Sequence, residues 1–371
     1  MERPWFRRFN WLLALSTVAL ALFGVLIIHS ADLSNPAAAG EWRKQLFSIV
    51  VGVGLMGAFA AFDYRRWQRP VFWLYGINLL LLALVMRGGH SALGAQRWIS
   101  LGPLGTFQPS EPAKLVLAMT IAVLLARRPQ VTPRDILIVL AAVAVPALLI
   151  LKQPDLGTTL VIGAILTAEL FMGVSNVLHF GVYAAAAAAL AGFVVGTNAV
   201  LKPFQRNRLL IFLHPNSDPQ GAGWNLNQSK IAVGSGGLFG KGLYRGTQTQ
   251  LDFVPEHSRD FIFTVVGEEL GYAGALCLLA LYAILLFGGL RAAFAAHDRF
   301  GLLLAVGIVA MLAFHVVVNV GMTIGIMPIT GIPLPFMSYG GSAILTDFIA
   351  VGILLNIQLQ RDALVFDETR P

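Results

Sequence analysis

The chain has 371 residues, of which 57% are hydrophobic and only 12% are charged. Soluble domains carry about 25% charged residues, so this composition excludes an ordinary soluble fold. The net charge of +7 does not indicate a nucleic-acid partner, because the basic residues are spread along the loops and form no single stripe. The one cysteine, Cys277, lies in an apolar run and excludes a disulfide framework or a thiolate metal cluster.

Ten apolar segments without Lys or Arg follow one another along the chain. A bilayer about 30 Å thick requires about 20 residues per helix, so we predict an all-α polytopic membrane protein of about ten transmembrane helices in a single membrane domain, residues 1–371. The first span is interpreted as an anchor and not as a cleaved signal, because further spans follow it. The predicted spans are Trp11–Ser30, Leu46–Phe62, Val71–Val85, Leu115–Ala126, Ile136–Leu151, Leu156–Gly173, Val177–Thr197, Phe261–Gly289, Leu302–Ile326 and Ala343–Leu359.

Basic residues are concentrated in every second segment that connects the predicted spans. If the N-terminus is cytoplasmic, the short outer turns hold few of them, and the positive-inside rule predicts that both termini lie in the cytoplasm. The arginines then assigned to the inner side are Arg3, Arg7, Arg8, Arg65, Arg66, Arg69, Arg127, Arg128, Arg134, Arg291, Arg299, Arg361 and Arg370.

Two outward segments are long: residues 87–114, and residues 201–260 between the seventh and eighth helices. Long loops in a compact protein are usually functional, so we expect the chemistry on the outer face. In the first segment, Ser110 is a plausible N-cap, with Glu111 and Pro112 in the first turn of the fourth helix. Lys114 then lies about one turn into the membrane, where it can either snorkel to the surface or bind an anion such as a lipid phosphate.

The turn before the sixth helix also combines an acidic and a basic residue. Asp155 stands where the helix begins and can act as its cap. Lys152 is a second outward cation that could face the same anion as Lys114.

The large outer segment contains a glycine-rich run, Gly234–Gly242. It fails the nucleotide-binding P-loop pattern, because Gly242 follows Lys241 where Ser or Thr is required. We instead expect the glycines to allow a tight turn or a close approach to a ligand, in surroundings made basic by Lys230, Lys241 and Arg245.

Asp260 stands at the predicted start of the eighth helix. Helical spacing places Thr264, Gly267 and Gly271 below it as a groove of small residues that could take an acyl or prenyl chain, although Asp260 could also be a simple cap. The glutamates at 268–269 are costly in a bilayer, so both should face protein or water.

A metal site near Asp260 is compatible with the sequence. His257 has no second histidine at ligand spacing, which makes structural zinc improbable. A hydrated divalent cation, Mg²⁺ or Mn²⁺, could be held by Asp252, Glu256 or Asp260 together with substrate phosphates.

Several of these segments resemble the SEDS family, named for shape, elongation, division and sporulation, whose members are peptidoglycan polymerases. The resemblance covers almost the whole chain and includes features of the elongation branch, RodA, rather than the division branch, FtsW. The segments that carry it are Asn319–Ala343, with Gly325-Ile-Met-Pro328 and Gly331-Ile-Pro-Leu-Pro-Phe-Met-Ser-Tyr-Gly-Gly-Ser-Ala343, the block from Pro255 to Gly271, and, for the branch, residues 221–241 and Gly246–Phe253.

The resemblance implies a cell-wall glycosyltransferase that joins lipid II units into glycan strands on the outer face of the bacterial cytoplasmic membrane. It also implies a class B penicillin-binding protein and other elongation-complex membrane proteins as partners. The family's essential acidic residue maps onto Asp260. The substrate-binding residues expected around it are Arg97, Gln108, Glu111, Lys114, Lys152 and Ser338.

Two positions depart from the family pattern. Thr106 stands where a basic residue is usual, and Arg259 stands where Thr or Ser usually precedes the aspartate. We hypothesise that Arg259 partly replaces the missing cation.

Glycosyl transfer from a lipid diphosphate needs a base for the acceptor hydroxyl and cations for the leaving group. We expect Asp260 to accept the proton from the sugar 4-hydroxyl, or else to coordinate a metal, while Lys114 and Arg97 neutralise the diphosphate. The alternatives are a flippase for the lipid-linked precursor and a scaffold whose partner performs the chemistry. A flippase should place ionisable groups near the membrane midplane, where the sequence offers only Glu169, His315 and Asp347.

Overall fold

The structure is a computed structural model. It describes residues 9–33, 40–88, 90–92, 95–100, 102, 106–197, 203–212 and 221–367. The first half contains helices α1 Trp11–Asp32, α2 Glu41–Ala61, α3 Val71–Gly88, α4 Ser110–Ala126, α5 Pro133–Lys152, α6 Leu156–Gly173 and α7 Val177–Gly196, with strands β1 His90–Ala92, β2 Ala95–Ser100 and β3 Thr106–Phe107. The second half contains α8 Pro203–Ile211, α9 Ala222–Ser235, α10 Thr247–Gln250, α11 Ile262–Glu269, α12 Gly271–Phe294, α13 Arg299–Ile324 and α14 Gly341–Asp367.

Each of the ten predicted spans is helical, nine as one helix and the eighth as two, which confirms the all-α polytopic class. Within the described residues, 8 helices are long and apolar enough to cross a membrane, and α3 is a shorter apolar helix. The tenth, α4, has 17 residues and carries Glu111 and Lys114 in its first turns. The chain is therefore a multi-pass membrane protein.

Polar side chains define where several spans begin. Asp155 caps α6 by accepting from the Thr158 N–H at 3.1 Å, and Asp298 caps α13 by accepting from the Gly301 N–H at 2.6 Å. At the start of α5, Thr132 and Asp135 form a reciprocal capping box. These caps satisfy backbone donors that the first helical turn leaves without partners.

The core of the bundle is built around α13, which packs against α4, α6, α9 and α12. Two-thirds of its span is buried, and α14, which packs against α2, is buried to the same degree. By contrast, the α7 span has no buried residue and packs against α6 at the edge of the bundle.

Both ends of the described chain lie at the same end of the bundle, because Asn10 donates to Gln358 at 2.8 Å. Arginines predicted for the inner side occur in interhelical contacts: Arg65 pairs with Asp298 at 3.1 Å, and Arg299 donates to the carbonyls of Arg128 and Gly173. Arg3, Arg7, Arg8 and Arg370 lie outside the described residues, as does the side chain of Arg361.

The eighth predicted span differs from the structure. It is not one helix from Phe261 to Gly289, because α11 ends at Glu269 and α12 begins at Gly271. Gly271 has φ +65°, a conformation that breaks a helix and that glycine adopts without a steric penalty.

The two outer segments are structured where they are described. In the first, β1, β2 and β3 form a small antiparallel sheet in which Ile99 lies opposite Phe107. In the second, α8, α9 and α10 replace what the sequence suggested was loop. This second segment shares a satellite cluster of buried apolar side chains with the loop after α13: Ile211, Leu226, Val254, Phe261 and Ile329.

Candidate active site

Asp260 lies just before α11 and is partly exposed. Loss of hydration among the surrounding groups, with repulsion from Glu256, raises the pKa of Asp260 from its usual 3.8 to about 6. Attraction to Arg208, Arg259 and Arg97 opposes this rise. Arg97 therefore lies within electrostatic range of Asp260, and Arg208 joins it together with the neighbouring Arg259.

The immediate support of Asp260 comes from α13 and from the loop that follows it. The side chain of Asn319 donates to the Asp260 carbonyl at 2.8 Å and to the Ile332 carbonyl at 2.7 Å. A β-carbon at Gly331 would lie 3.1 Å from Asp260 Oδ2, so the glycine leaves room for the carboxylate.

Arg259 links Asp260 to α2. Its guanidinium pairs with Glu41 at 3.2 Å and with Glu256 at 3.1 Å, and it lies over the ring of Tyr339. Thr106 is exposed on β3, and its carbonyl accepts from Ser342 at 3.4 Å. Arg259 and Thr106 thus both adjoin the start of α14, in line with the compensation hypothesis but without testing it.

Lys114 has an anionic partner, as expected for a lysine near a helix N-terminus, but this partner is a protein carboxylate and not a lipid phosphate. Its ammonium lies 2.8 Å from Glu111 Oε2 and 3.1 Å from His315 Nε2, and the lysine is only 1% exposed. Asp347 interacts electrostatically with the Lys114 ammonium and accepts a hydrogen bond from the Phe336 N–H. Of the two alternatives for Lys114, snorkelling to the surface is wrong, and direct contact with a lipid phosphate stays a prediction.

Asp155 joins several of the predicted binding residues. Besides capping α6, it accepts from Gln108 at 3.2 Å and from Ser110 at 3.4 Å, and it lies 3.7 Å from Arg97 Nη1. Arg97 also donates to the carbonyls of Gln153 and Pro154. Asp155 therefore contacts the sheet, through Arg97, and α4, through Ser110, while it caps α6.

Two predicted binding residues are placed differently. The Ser338 hydroxyl donates to the Arg259 carbonyl at 2.6 Å and accepts from the Leu334 N–H at 2.8 Å, so it supports the loop beside Asp260. Lys152 is exposed, and in the described part of the chain it forms no ion pair.

The three predicted metal ligands do not converge. Asp252 pairs with His257 at 3.3 Å, and Glu256 pairs with Arg259. Among the residues that the structure describes, no group of three His, Cys, Asp or Glu side chains is arranged to hold a metal. The described residues therefore form no complete protein cage around a cation at this site, and a divalent cation stays a prediction.

The groove predicted below Asp260 is filled by protein. Thr264 bonds to the Ser229 hydroxyl at 2.7 Å, and a β-carbon at Gly236 would lie 2.0 Å from the Gly267 carbonyl oxygen. A β-carbon at Gly240 would lie equally close to the Glu269 carbonyl oxygen, 2.0 Å away. The expectation that this groove holds an acyl chain is wrong for this conformation, because α9 and the following glycines occupy it.

The two adjacent glutamates face protein, as predicted. Glu268 pairs with Lys241 at 2.7 Å and accepts from the backbone N–H groups of Gln248 and Thr249. Glu269 accepts from the Ser30 hydroxyl at 2.7 Å.

Sequence reasoning missed Arg208 and the supporting role of Asn319. Arg208 belongs to α8 in the outer segment, and nothing local distinguishes it from other exposed basic residues. Asn319 could have been found as a polar residue within an apolar span, where its amide requires a partner.

Taken together, the fold and this site define a multi-pass membrane protein whose Asp260 carboxylate, just before α11, feels the charges of three arginines. A model of the FtsW, RodA and SpoVE family, described as cell cycle protein, matches residues 10–363. The chain belongs to this family, which is the SEDS family anticipated from its motifs.

Individual relatives match over nearly their full length. Peptidoglycan glycosyltransferase MrdB of Escherichia coli K12 is 38% identical over 351 residues, covering 94% of this chain and 92% of that protein. Peptidoglycan glycosyltransferase RodA of Treponema pallidum is 34% identical over 426 residues, covering 95% and 98%. A chain in a solved peptidoglycan synthase complex, studied for its coordination of polymerization and crosslinking, superposes with a TM-score of 0.79 at 32% identity, covering 95% and 98%.

Proposed function

We propose that this chain polymerises lipid II into glycan strands, with Asp260 as the general base. The observation that carries the proposal is the partly exposed Asp260 carboxylate, which feels the positive charges of Arg208, Arg259 and Arg97. The class of enzyme rests on the family: the chain is a peptidoglycan glycosyltransferase that acts in cell elongation.

In this mechanism, Asp260 accepts the proton of the acceptor sugar's 4-hydroxyl as that oxygen attacks the donor sugar. A pKa of about 6 suits this role, because the group is mostly ionised at neutral pH yet is a stronger base than an ordinary aspartate. One carboxylate is sufficient, since a diphosphate leaves without needing the second, proton-donating carboxyl of a glycosidase.

The leaving diphosphate requires positive charge. Arg208 and Arg97 act on Asp260 electrostatically, and we propose that these two cations neutralise the leaving diphosphate. Lys114 is enclosed with Glu111 and His315, so we propose that it acts through the packing of α4 and α13. A divalent cation, Mg²⁺ or Mn²⁺, would supply further neutralisation of the diphosphate, with Asp260 as the protein ligand best placed to share it.

Polymerisation by the purified chain tests the proposal. We expect glycan ladders from labelled lipid II without any added synthase, and a loss of about 10²-fold or more in Asp260→Asn. Asp63→Asn is the matched control, because the Asp63 carboxylate accepts from the Arg65 N–H at 3.0 Å, among the residues predicted for the inner side. An Asp260→Asn protein that folds, binds lipid II and polymerises at the parental rate would overturn the proposal.

The same assay addresses the alternatives and the metal. Lipid II that changes leaflet in vesicles without forming ladders would support the flippase, and a chain that binds its partner but makes no glycan would support the scaffold. Chelation with EDTA, followed by addition of Mg²⁺ or Mn²⁺, should abolish and then restore polymerisation if a divalent cation participates. Full activity in EDTA would remove the metal from the mechanism.

We further propose that the chain lies in the bacterial cytoplasmic membrane with both termini in the cytoplasm and Asp260 facing outward. The contact between Asn10 and Gln358, which keeps the two ends of the described chain together, supports this arrangement. The synthase complex similar to this chain supports a transpeptidase partner, and we propose a class B penicillin-binding protein. Other elongation-complex membrane proteins are the remaining proposed partners.

A further inference from the structure

One buried amide holds together the two chain segments that border the Asp260 carboxylate. Asn319 lies on α13 and is fully buried. Its two amide hydrogens are both used: one bonds the Asp260 carbonyl at 2.8 Å and the other bonds the Ile332 carbonyl at 2.7 Å. These carbonyls belong to segments that are far apart in sequence, so a single side chain sets their relative position.

The Ile332 segment contacts the carboxylate through its preceding residue. Gly331 has φ +71°, and a β-carbon there would lie 3.1 Å from Asp260 Oδ2 and 3.7 Å from Arg208 Nη1. Because Asn319 bonds the carbonyl of the next residue, it also determines how closely Gly331 approaches the carboxylate. The amide thus controls both the backbone of Asp260 and one wall around its side chain.

The remaining atom of the amide makes this arrangement costly. Asn319 Oδ1 is buried and has no hydrogen-bond partner among the described residues. A buried acceptor without a partner has lost its hydration with no hydrogen bond to compensate. The reverse orientation of the amide is excluded, since it would place Oδ1 against two carbonyl oxygens.

We infer that Asn319 is a positioning residue for the polymerase reaction, holding the Asp260 carboxylate in its reactive orientation through the Asp260 and Ile332 carbonyls. This inference rests on the proposed role of Asp260. It predicts that loss of the amide hydrogens slows the chemical step and changes the surroundings of the carboxylate, while lipid II binding is largely retained. Misplacement of a catalytic group by about 1 Å can lower a rate by about 10²-fold.

The test compares Asn319→Leu and Gly331→Ala with the parent, using purified protein and labelled lipid II. For both variants we expect kcat to fall by roughly 10- to 100-fold, with KM changed less than about threefold. We also expect the acidic limb of the pH–rate profile to move, because the distances from Asp260 to Glu256, Arg208, Arg259 and Arg97 change. A residue that only stabilises the fold would lower the yield of active protein without moving that limb.

Gly331→Ala keeps the test decisive if Asn319→Leu does not fold, because it alters the same wall without removing a buried bond. Gly237→Ala is its matched control, because Gly237 also has a positive φ, +57°, and a β-carbon there meets nothing within 4 Å. Parental kcat and pH profile in folded Gly331→Ala, or equal losses in Gly331→Ala and Gly237→Ala, would overturn the inference. If Asp260→Asn is inactive while the Asn319 and Gly331 variants behave as the parent, only this inference fails; if Asp260→Asn is active, the proposed function fails.

Discussion

The ammonium of Lys114 lies 2.8 Å from the carboxylate of Glu111, inside the bundle and one turn apart on α4. Both side chains are almost fully buried, and His315 on α13 is the second partner of the lysine. An ion pair in such surroundings contributes stability only while both members are present, since either charge alone would be buried without compensation.

We therefore expect Lys114→Met to lower the free energy of unfolding by about 3–5 kcal/mol, and the double variant Glu111→Gln with Lys114→Met to lose less. Thermal unfolding in detergent measures both. Arg128→Gln is the control, because Arg128 is 57% exposed in its pair with Asp135 and should change stability by about 1 kcal/mol or less. A double variant as unstable as the single variant would contradict the coupling.

The pH dependence of polymerisation should follow Asp260. The base acts when deprotonated, so kcat/KM should rise with pH and level off above about 6, the raised pKa of Asp260. Glu256→Gln removes a repelling negative charge, lowers that pKa and should move the limb to more acidic pH. Arg208→Gln removes an attracting positive charge and should move it the opposite way, each by about one unit or less. Limbs that stay in place in both variants would exclude Asp260 as the titrating group.

The glycines of the run Gly234–Gly242, at and after the end of α9, should differ in how well they tolerate substitution by alanine. A β-carbon at Gly240 would lie 2.0 Å from the Glu269 carbonyl oxygen, and its φ of +77° disfavours any other residue. Gly240→Ala should therefore destabilise the protein by several kcal/mol or prevent folding. Gly234→Ala is the matched control, because a β-carbon there meets nothing within 4 Å and lies in α9. Equal melting temperatures for the two variants would show that the close approach is unimportant.

Glu169 occupies a fully buried position on α6, and neither of its carboxylate oxygens has a hydrogen-bond partner in the described part of the chain. A β-carbon at Gly307 on α13 would lie 2.0 Å from Glu169 Oε1. Since an unpaired charge is too costly there, Glu169→Gln should fold and polymerise like the parent. Gly307→Ala should be destabilised, and adding Glu169→Ala should restore much of the loss. Inactive but folded Glu169→Gln would instead assign the carboxyl a role in function.

The two departures from the family pattern predict a compensation. Arg259→Thr removes a guanidinium that pairs with Glu41 and Glu256, and should lower polymerase activity. The double variant with Thr106→Arg should retain more activity, because it restores a cation beside the start of α14. Equal initial rates for the single and double variants, at equal amounts of folded protein, would refute the compensation.

Much of the fold follows from local sequence. Each apolar run must bury its backbone polar groups in a helix when it crosses a bilayer, so the ten spans are readable without tertiary information. The break at Gly271 could not be predicted from the sequence, because the run from Phe261 is continuously apolar apart from its two glutamates. What stops the helix there is the approach of Gly237 and Gly240 from a distant part of the chain.

The site divides in the same way. The sequence alone determined a membrane bundle with polar residues at one end, and family motifs singled out Asp260, because composition and short-range spacing are local properties. Only the tertiary structure decided that Lys114 faces Glu111 and His315, that α9 fills the groove of small residues, and that Arg208 and Asn319 adjoin Asp260. Lys114 and Glu111 are one turn apart on α4, but the other pairings join residues distant in sequence, and which of these side chains meet depends on how the helices pack.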